Sequence, residues 1–198
     1  MSYHLVLIPG LLCTEALYAA QSAALSATVT VTVADHRGHD SLAALANAIL
    51  DVSPARFALA GLSMGGYLAF EIMRQAPHRV ERLALLDTSA RPDSAEQSEN
   101  RRRLVALAQK KGVGVPAREM FPKLVAPTHQ DDELLRAVFL DMAEATGVAG
   151  FARQQAAIAG RPDSRGTLAA ISCPTLVLVG DEDQLTPVEL AKEMAEGI

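Results

Sequence analysis

The residues Ala58-Leu59-Ala60-Gly61-Leu62-Ser63-Met64-Gly65-Gly66-Tyr67 constrain this chain more than any other stretch. An apolar, strand-forming run enters a turn crowded with glycine, and a helix-forming run leaves it. The spacing Gly61-x-Ser63-x-Gly65 has a steric reading. A serine at the tip of a tight strand-to-helix turn presents its hydroxyl outward on strained torsions. A Cβ two residues to either side would drive strand and helix together. The helix that follows turns its free N–H groups toward the same spot and favours negative charge there. Chemically this is a nucleophile above an anion-stabilising helix end, the pattern of a nucleophile elbow.

The rest of the chain supplies the frame that such a turn needs. Tyr3 to Ile8 is an apolar run stopped by Pro9-Gly10, and Thr28 to Val33 is a second, β-branched one. Phe57 to Ala60 leads into the elbow, and Val80 to Leu86 ends at Asp87-Thr88-Ser89. Helical spacing fills the gaps: Leu11 to Leu25, then a helix capped by Ser41, then the elbow helix to about Gln75, where Pro77 stops it. Alternating strand and helix predicts a mostly parallel sheet with helices on both faces. The alternation breaks from Pro92 to about Arg165, where only helical patterns occur, and returns at Pro174 to Gly180. The expected organisation is therefore a core over 1–91, a helical block over 92–165 and a continuation of the core over 166–198. A block inserted after the fourth strand emerges at the carboxyl edge of the sheet, where open α/β sheets hold ligands, so it reads as a lid.

Bulk properties exclude several classes. The formal net charge of −5 gives no broad basic face for nucleic acid. The one basic run, Arg101-Arg102-Arg103, has acidic neighbours in a helical stretch and reads as a solvated helix face. Cys13 and Cys173 make neither a disulfide framework nor a metal motif. The amino terminus lacks the features of a signal peptide, and no apolar run is long enough to cross a bilayer. The expectation is a soluble, cytoplasmic protein without nucleic-acid or membrane partners; no oligomeric state follows from the residues.

Four motifs in order make the chain resemble the α/β-hydrolase superfamily over nearly its whole length, in particular the small cap-bearing carboxylesterases and enol-lactonases. Leu7-Ile8-Pro9-Gly10-Leu11-Leu12 lies where that family has its oxyanion loop, with Pro9 where histidine is commoner. Ala34-Asp35-His36-Arg37-Gly38-His39-Asp40 resembles its Asp-x-Arg-Gly-His-Gly loop. The elbow is Gly61 to Gly66, and Gly180 to Pro187 resembles the segment that carries the catalytic acid. The resemblance implies an α/β-hydrolase fold and a serine hydrolase acting on a small or medium carboxylic ester, lactone or thioester, with no metal or organic cofactor and a small-molecule acyl substrate as partner. Residue by residue, it makes Ser63 the nucleophile and Asp183 the acid, with the N–H groups of Leu11 and Met64 forming the oxyanion hole. The helical block then corresponds to the family's cap, with Met120, Phe121, Phe139, Met142 and Phe151 as apolar candidates for its substrate lining. Asp183 also reads as a plain turn residue ahead of the last helix.

One member of the expected set is missing. The order in this fold is serine, acid, histidine, and no histidine follows Asp183. The five histidines are His4, His36, His39, His78 and His129. His4 reads as structural, His78 as a surface turn and His129 as solvated; only His36 and His39 fall at the carboxyl edge. The expectation is a chain cut short of the family's last strand and helix, which leaves a sheet edge bare. The alternatives are a hydrolase-fold binding protein without its base, or a same-fold haloperoxidase or C–C hydrolase.

Overall fold

The computed structural model describes residues 3–198. Five parallel strands, β1 Tyr3–Ile8, β2 Val29–Val33, β3 Phe57–Leu62, β4 Val80–Leu86 and β5 Thr175–Leu178, form one sheet in the order β2-β1-β3-β4-β5. Parallel neighbours need long crossovers, and helices provide them: α1 Ala19–Leu25, α2 Leu42–Val52 and α3 Met64–Gln75, while α7 Val188–Gly197 follows β5. The sheet is built outward from β1 in both directions. Right-handed crossovers then put the helices of the two directions on opposite faces. The packing follows this rule. Helices α2, α3 and α7 bury Leu45, Ile49, Leu68, Ile72, Ala191 and Met194 against Val6, Ile8, Leu59, Leu83 and Leu85 on one face. The segment before α1 buries Tyr18 against Leu7 and Ala60 on the other.

That second face is covered unevenly. Leu176 and Leu178 of the edge strand β5 are 54% and 52% exposed. A groove of about 410 Å³ lined by Leu5, Ala60, Ala84 and Leu176 runs beside them. It includes Ala58, Arg82 and Pro174, towards the amino ends of the strands and away from Ser63.

Between β4 and β5 the chain passes through α4 Ala95–Lys111, α5 Gly114–Met120 and α6 Glu133–Ala159. A capping box opens α4: Ser94 Oγ accepts from Gln97 N–H, and the Gln97 side chain accepts from Ser94 N–H. Gly147, at φ 68°, breaks the regular helix inside α6. The two ends of this block are tied together. Asp93 at its start, with a side chain only 2% exposed, pairs with Arg101 of α4 at 2.6 Å and with Arg161 just after α6. Burial works to raise the Asp93 pKa, but the two guanidinium groups outweigh it and hold the carboxyl below its ordinary range. Arg161 in turn lies over the Tyr67 ring of α3, 4.3 Å from its centroid. The basic run is therefore not a uniformly solvated face. Arg102 and Arg103 point outward to Glu99 and Glu119, whereas Arg101 turns in to Asp93 and Gln155. Burying Asp93 demands a partner, and Arg101 lies close enough to provide one.

One other expectation shifts. Leu11 to Thr14 form a turn rather than the start of a helix, followed by a 3-10 turn over Glu15–Tyr18 before α1 begins. Ser41 caps α2 as expected, its side chain accepting from Ala44 N–H. Among the described residues, no helix is long and apolar enough to cross a membrane.

Candidate active site

The sheet order reverses at β1, so the crevice outside the carboxyl ends of β1 and β3 is where an open α/β sheet offers a ligand site. Those two ends carry Pro9 to Leu12 and Ser63. Ser63 has φ 52° and ψ −110°, a conformation that costs a non-glycine residue of order 1–3 kcal/mol. Steric contacts hold it there. A Cβ on Gly61 would lie 2.2 Å from the carbonyl oxygen of Gly65, and one on Gly65 would lie 2.1 Å from that of Ile8. Hence β3, α3 and the end of β1 close on one another with no room for a methyl group. Ser63 N–H donates to Leu86 O at 2.9 Å, and Thr88 Oγ1 donates to Ser63 O at 2.8 Å.

Serine at a helix start ordinarily caps its own helix. Ser63 makes no such bond, which leaves its hydroxyl available. Among the described residues, the N–H groups of Leu11 and Met64 have no hydrogen-bond acceptor. Gly10 is next to this corner: a Cβ built on it would lie 3.6 Å from Ser63 Cβ. The arrangement can do one thing well: present a hydroxyl beside free backbone donors from two segments and a helix N-terminus, the layout that stabilises a developing oxyanion.

The acid corner is built differently. Asp183 follows β5 in a loop that its own carboxylate organises. Oδ1 accepts from Leu185 N–H and Thr186 N–H, both at 2.8 Å, and Oδ2 from Thr186 Oγ1 at 2.7 Å. No histidine hydrogen-bonds Asp183 or Ser63 among the described residues. His39, His78 and His129 are exposed. His4 bonds Thr32 Oγ1 at 2.8 Å, as its structural reading requires.

The sequence left Asp87 without a role. It is the residue after β4, beside Ser63 across the sheet, and like Ser63 it has positive φ, at 43°. Its carboxylate accepts from Gly180 N–H at 2.9 Å, tying the end of β4 to the loop that carries Asp183. Burial pushes the Asp87 pKa up; the Gly180 bond opposes this and the charge of Asp183 adds to it. The signal was Asp87-Thr88-Ser89 at the strand end, with Asp87 at the level of Ser63.

Four of the five apolar candidates from the helical block, Phe121, Phe139, Met142 and Phe151, are buried in one cluster with Leu104, Val113 and Ala143. Leu12 and Cys13 of the turn after β1 belong to the same cluster, and Met120 packs against it half-buried. Burial pushes the Cys13 thiol up to about 12, and its Sγ donates to Leu11 O at 3.6 Å. Among the described residues, no group of side chains could hold a metal ion.

The alpha/beta hydrolase family model matches residues 5–198. The AB hydrolase superfamily protein YisY of Bacillus subtilis (strain 168) is 31% identical over 151 residues, which cover 71% of this chain and 54% of YisY, about half that relative's length. A thermophilic esterase from Thermogutta terrifontis superposes with a TM-score of 0.88 at 33% identity, covering 100% of this chain and 78% of that one. The enol-lactonase from Burkholderia xenovorans LB400 gives 0.86 at 27% identity, covering 100% and 80%.

Proposed function

We propose that this chain, which belongs to the alpha/beta hydrolase family, is a serine hydrolase that cleaves a small or medium carboxylic ester, lactone or thioester through an acyl-enzyme on Ser63. The observation that carries the reading is the strained Ser63, with its hydroxyl uncommitted, beside the free N–H groups of Leu11 and Met64. An esterase and an enol-lactonase among the structural neighbours above 25% identity support the substrate class.

In this mechanism Ser63 Oγ attacks the acyl carbonyl and gives its proton to a base. The carbonyl oxygen becomes an oxyanion held by the N–H groups of Leu11 and Met64. Collapse expels the alkoxide or thiolate, which takes the proton, and water then releases the acid from Ser63 by the same path. Losing one oxyanion donor costs about 3 kcal/mol of barrier. Asp183 serves as the acid: Oδ1 is fixed by two N–H groups, while Oδ2 has a single hydroxyl partner and so can take an imidazole N–H. Residues 92–165 act as a cap. Its half-buried Met120 is the apolar candidate able to touch substrate, and Phe121, Phe139, Met142 and Phe151 shape the site from behind by packing.

Because no histidine among the described residues hydrogen-bonds Asp183, the base is to be supplied in the test. Added imidazole is expected to accelerate phosphonylation of Ser63 by a fluorophosphonate, read by intact mass and peptide mapping. Absence of a Ser63 adduct removes the reading. The same lack of a partnered histidine favours a second reading, a hydrolase-fold binding protein. Retention of small esters without turnover or adduct supports that alternative.

A further inference from the structure

We propose that Gln154 is a positioning residue for the oxyanion loop: from the last turns of α6 it fixes Leu12, so that Leu11 N–H is the donor left free beside Ser63. The proposal rests on the reading of Ser63 as the nucleophile.

Leu12 has φ 63°, a left-handed conformation that a branched side chain adopts at a cost of roughly 1–2 kcal/mol. Something must hold it, and it is held from outside the core sheet. Its N–H donates to Gln154 Oε1 at 3.1 Å, across 142 residues of sequence. Gln154 is 0% exposed, so this bond has no competing water. Leu12, which it holds, and Phe151, one turn before it on α6, both belong to the apolar cluster of the helical block. Two residues on, Thr14 N–H points at Met142 Sδ of the same helix, at 3.4 Å.

His36 braces the pair from the other side. Its Nε2 lies 3.0 Å from Gly10 O and 3.2 Å from Gln154 Nε2. With Gln154 Oε1 committed to Leu12 N–H, the amide nitrogen is a donor. The His36 ring therefore either donates to Gly10 O or accepts from Gln154, depending on its tautomer. In either form its Nε2 sits between the loop carbonyl and the helix amide and bonds one of them. Gly10 O also accepts from Cys13 N–H at 3.1 Å, which closes the turn. The turn thus has Gly10 O and Leu12 N–H bonded, and Leu11 N–H between them is the group with no acceptor among the described residues.

The consequence is that the oxyanion donor depends on how α6 is seated. Arg37 adds to that seating: its guanidinium donates to Ala145 O at 3.3 Å, and its own carbonyl accepts from Arg153 Nε at 2.7 Å. Contacts confined to stability would leave the reaction at Ser63 unchanged once the protein is folded. A positioning role predicts a change in the maximal rate with little change in half-saturation.

The test uses the whole chain with imidazole present, comparing wild type with Gln154→Met, which removes the acceptor at similar volume, and Gln154→Glu, which keeps an acceptor oxygen. Amide exchange is read at Leu11 and Leu12, and fluorophosphonate labelling of Ser63 gives maximal rate and half-saturation. In wild type, Leu12 is expected to be protected and Leu11 not. In Gln154→Met, Leu12 protection falls at least about tenfold and the maximal labelling rate falls about 10–100-fold, as expected for a misplaced oxyanion donor. Half-saturation stays within about threefold, because ground-state binding is untouched, and Gln154→Glu restores both readouts. The proposal is overturned by a Leu12 amide that exchanges freely in wild type, a measurement that needs no variant to fold. It is equally overturned by Gln154→Met losing Leu12 protection at an unchanged labelling rate. A wild type with protected Leu12 but no Ser63 adduct overturns the nucleophile reading instead, and the positioning role with it.

Discussion

At the nucleophile corner, Ser63 is forced into φ 52° by atoms from three segments, and its hydroxyl is spent on nothing. At the acid corner, Asp183 is half-exposed and every bond of its carboxylate goes to residues two or three positions on. One corner is over-determined by long-range packing and stores strain. The other is a local turn that would form with or without the opposite corner. The difference teaches where the sheet's stability and the site's chemistry are joined. At the glycines that hold Ser63 they cannot be separated by mutation; at Asp183 they can.

The largest effect is expected where the two are joined. Gly61→Ala puts a methyl group 2.2 Å from the carbonyl oxygen of Gly65, which is backbone and cannot step aside. Urea unfolding should show a loss of about 2–4 kcal/mol, with Ser63 labelling lost as well. A fully stable Gly61→Ala protein would break the claim that packing imposes the strain.

Next comes pH, acting on the loop between the corners. Burial is the main cause that pushes the His36 pKa from 6.5 down to about 4, opposed by its bond to Gly10 and by Asp35. Between those values the unfolded chain binds the proton and the folded chain does not. Stability is therefore complete above pH 6.5 and is lost as pH falls towards 4, by about 3 kcal/mol from this residue. Urea midpoints at pH 7, 5 and 4 should show the loss in wild type and a smaller one in His36→Asn. Equal slopes would show that His36 is not held neutral by burial.

The smallest effect on stability is expected at Asp183. Asp183→Asn keeps an oxygen for the Leu185 and Thr186 N–H groups and weakens only the Thr186 hydroxyl bond, a change of at most about 1 kcal/mol. Imidazole-assisted labelling should nevertheless fall at least about tenfold, because the acceptor that orients the ring is gone. A large loss of stability with labelling intact would reverse the comparison and make Asp183 a turn residue.

How much of this was legible in the sequence follows the same division. Local patterns survived: the four first strands, the Ser41 cap, the elbow helix ending at Gln75, and the Gly61-x-Ser63-x-Gly65 turn all depend on neighbours a few residues apart. The family and the parallel sheet with helices on both faces were legible for the same reason. Contacts across the chain were not. That Arg101 turns inward is decided by the buried Asp93 and by Gln155, 54 residues away. That Leu11 to Thr14 form a turn is decided by Gln154 and Met142 of a helix more than a hundred residues downstream. Asp87 was visible as a strand end, but its link to Gly180 exists only once β4 and β5 lie side by side.

The central claim, that Ser63 is a nucleophile held ready by strain and packing, is tested most directly by the mass of the protein after a fluorophosphonate in the presence and absence of imidazole. The expected result is a single adduct mapped to Ser63, formed faster with imidazole and absent from Ser63→Ala. An unmodified protein, or an adduct that persists in Ser63→Ala, would contradict it.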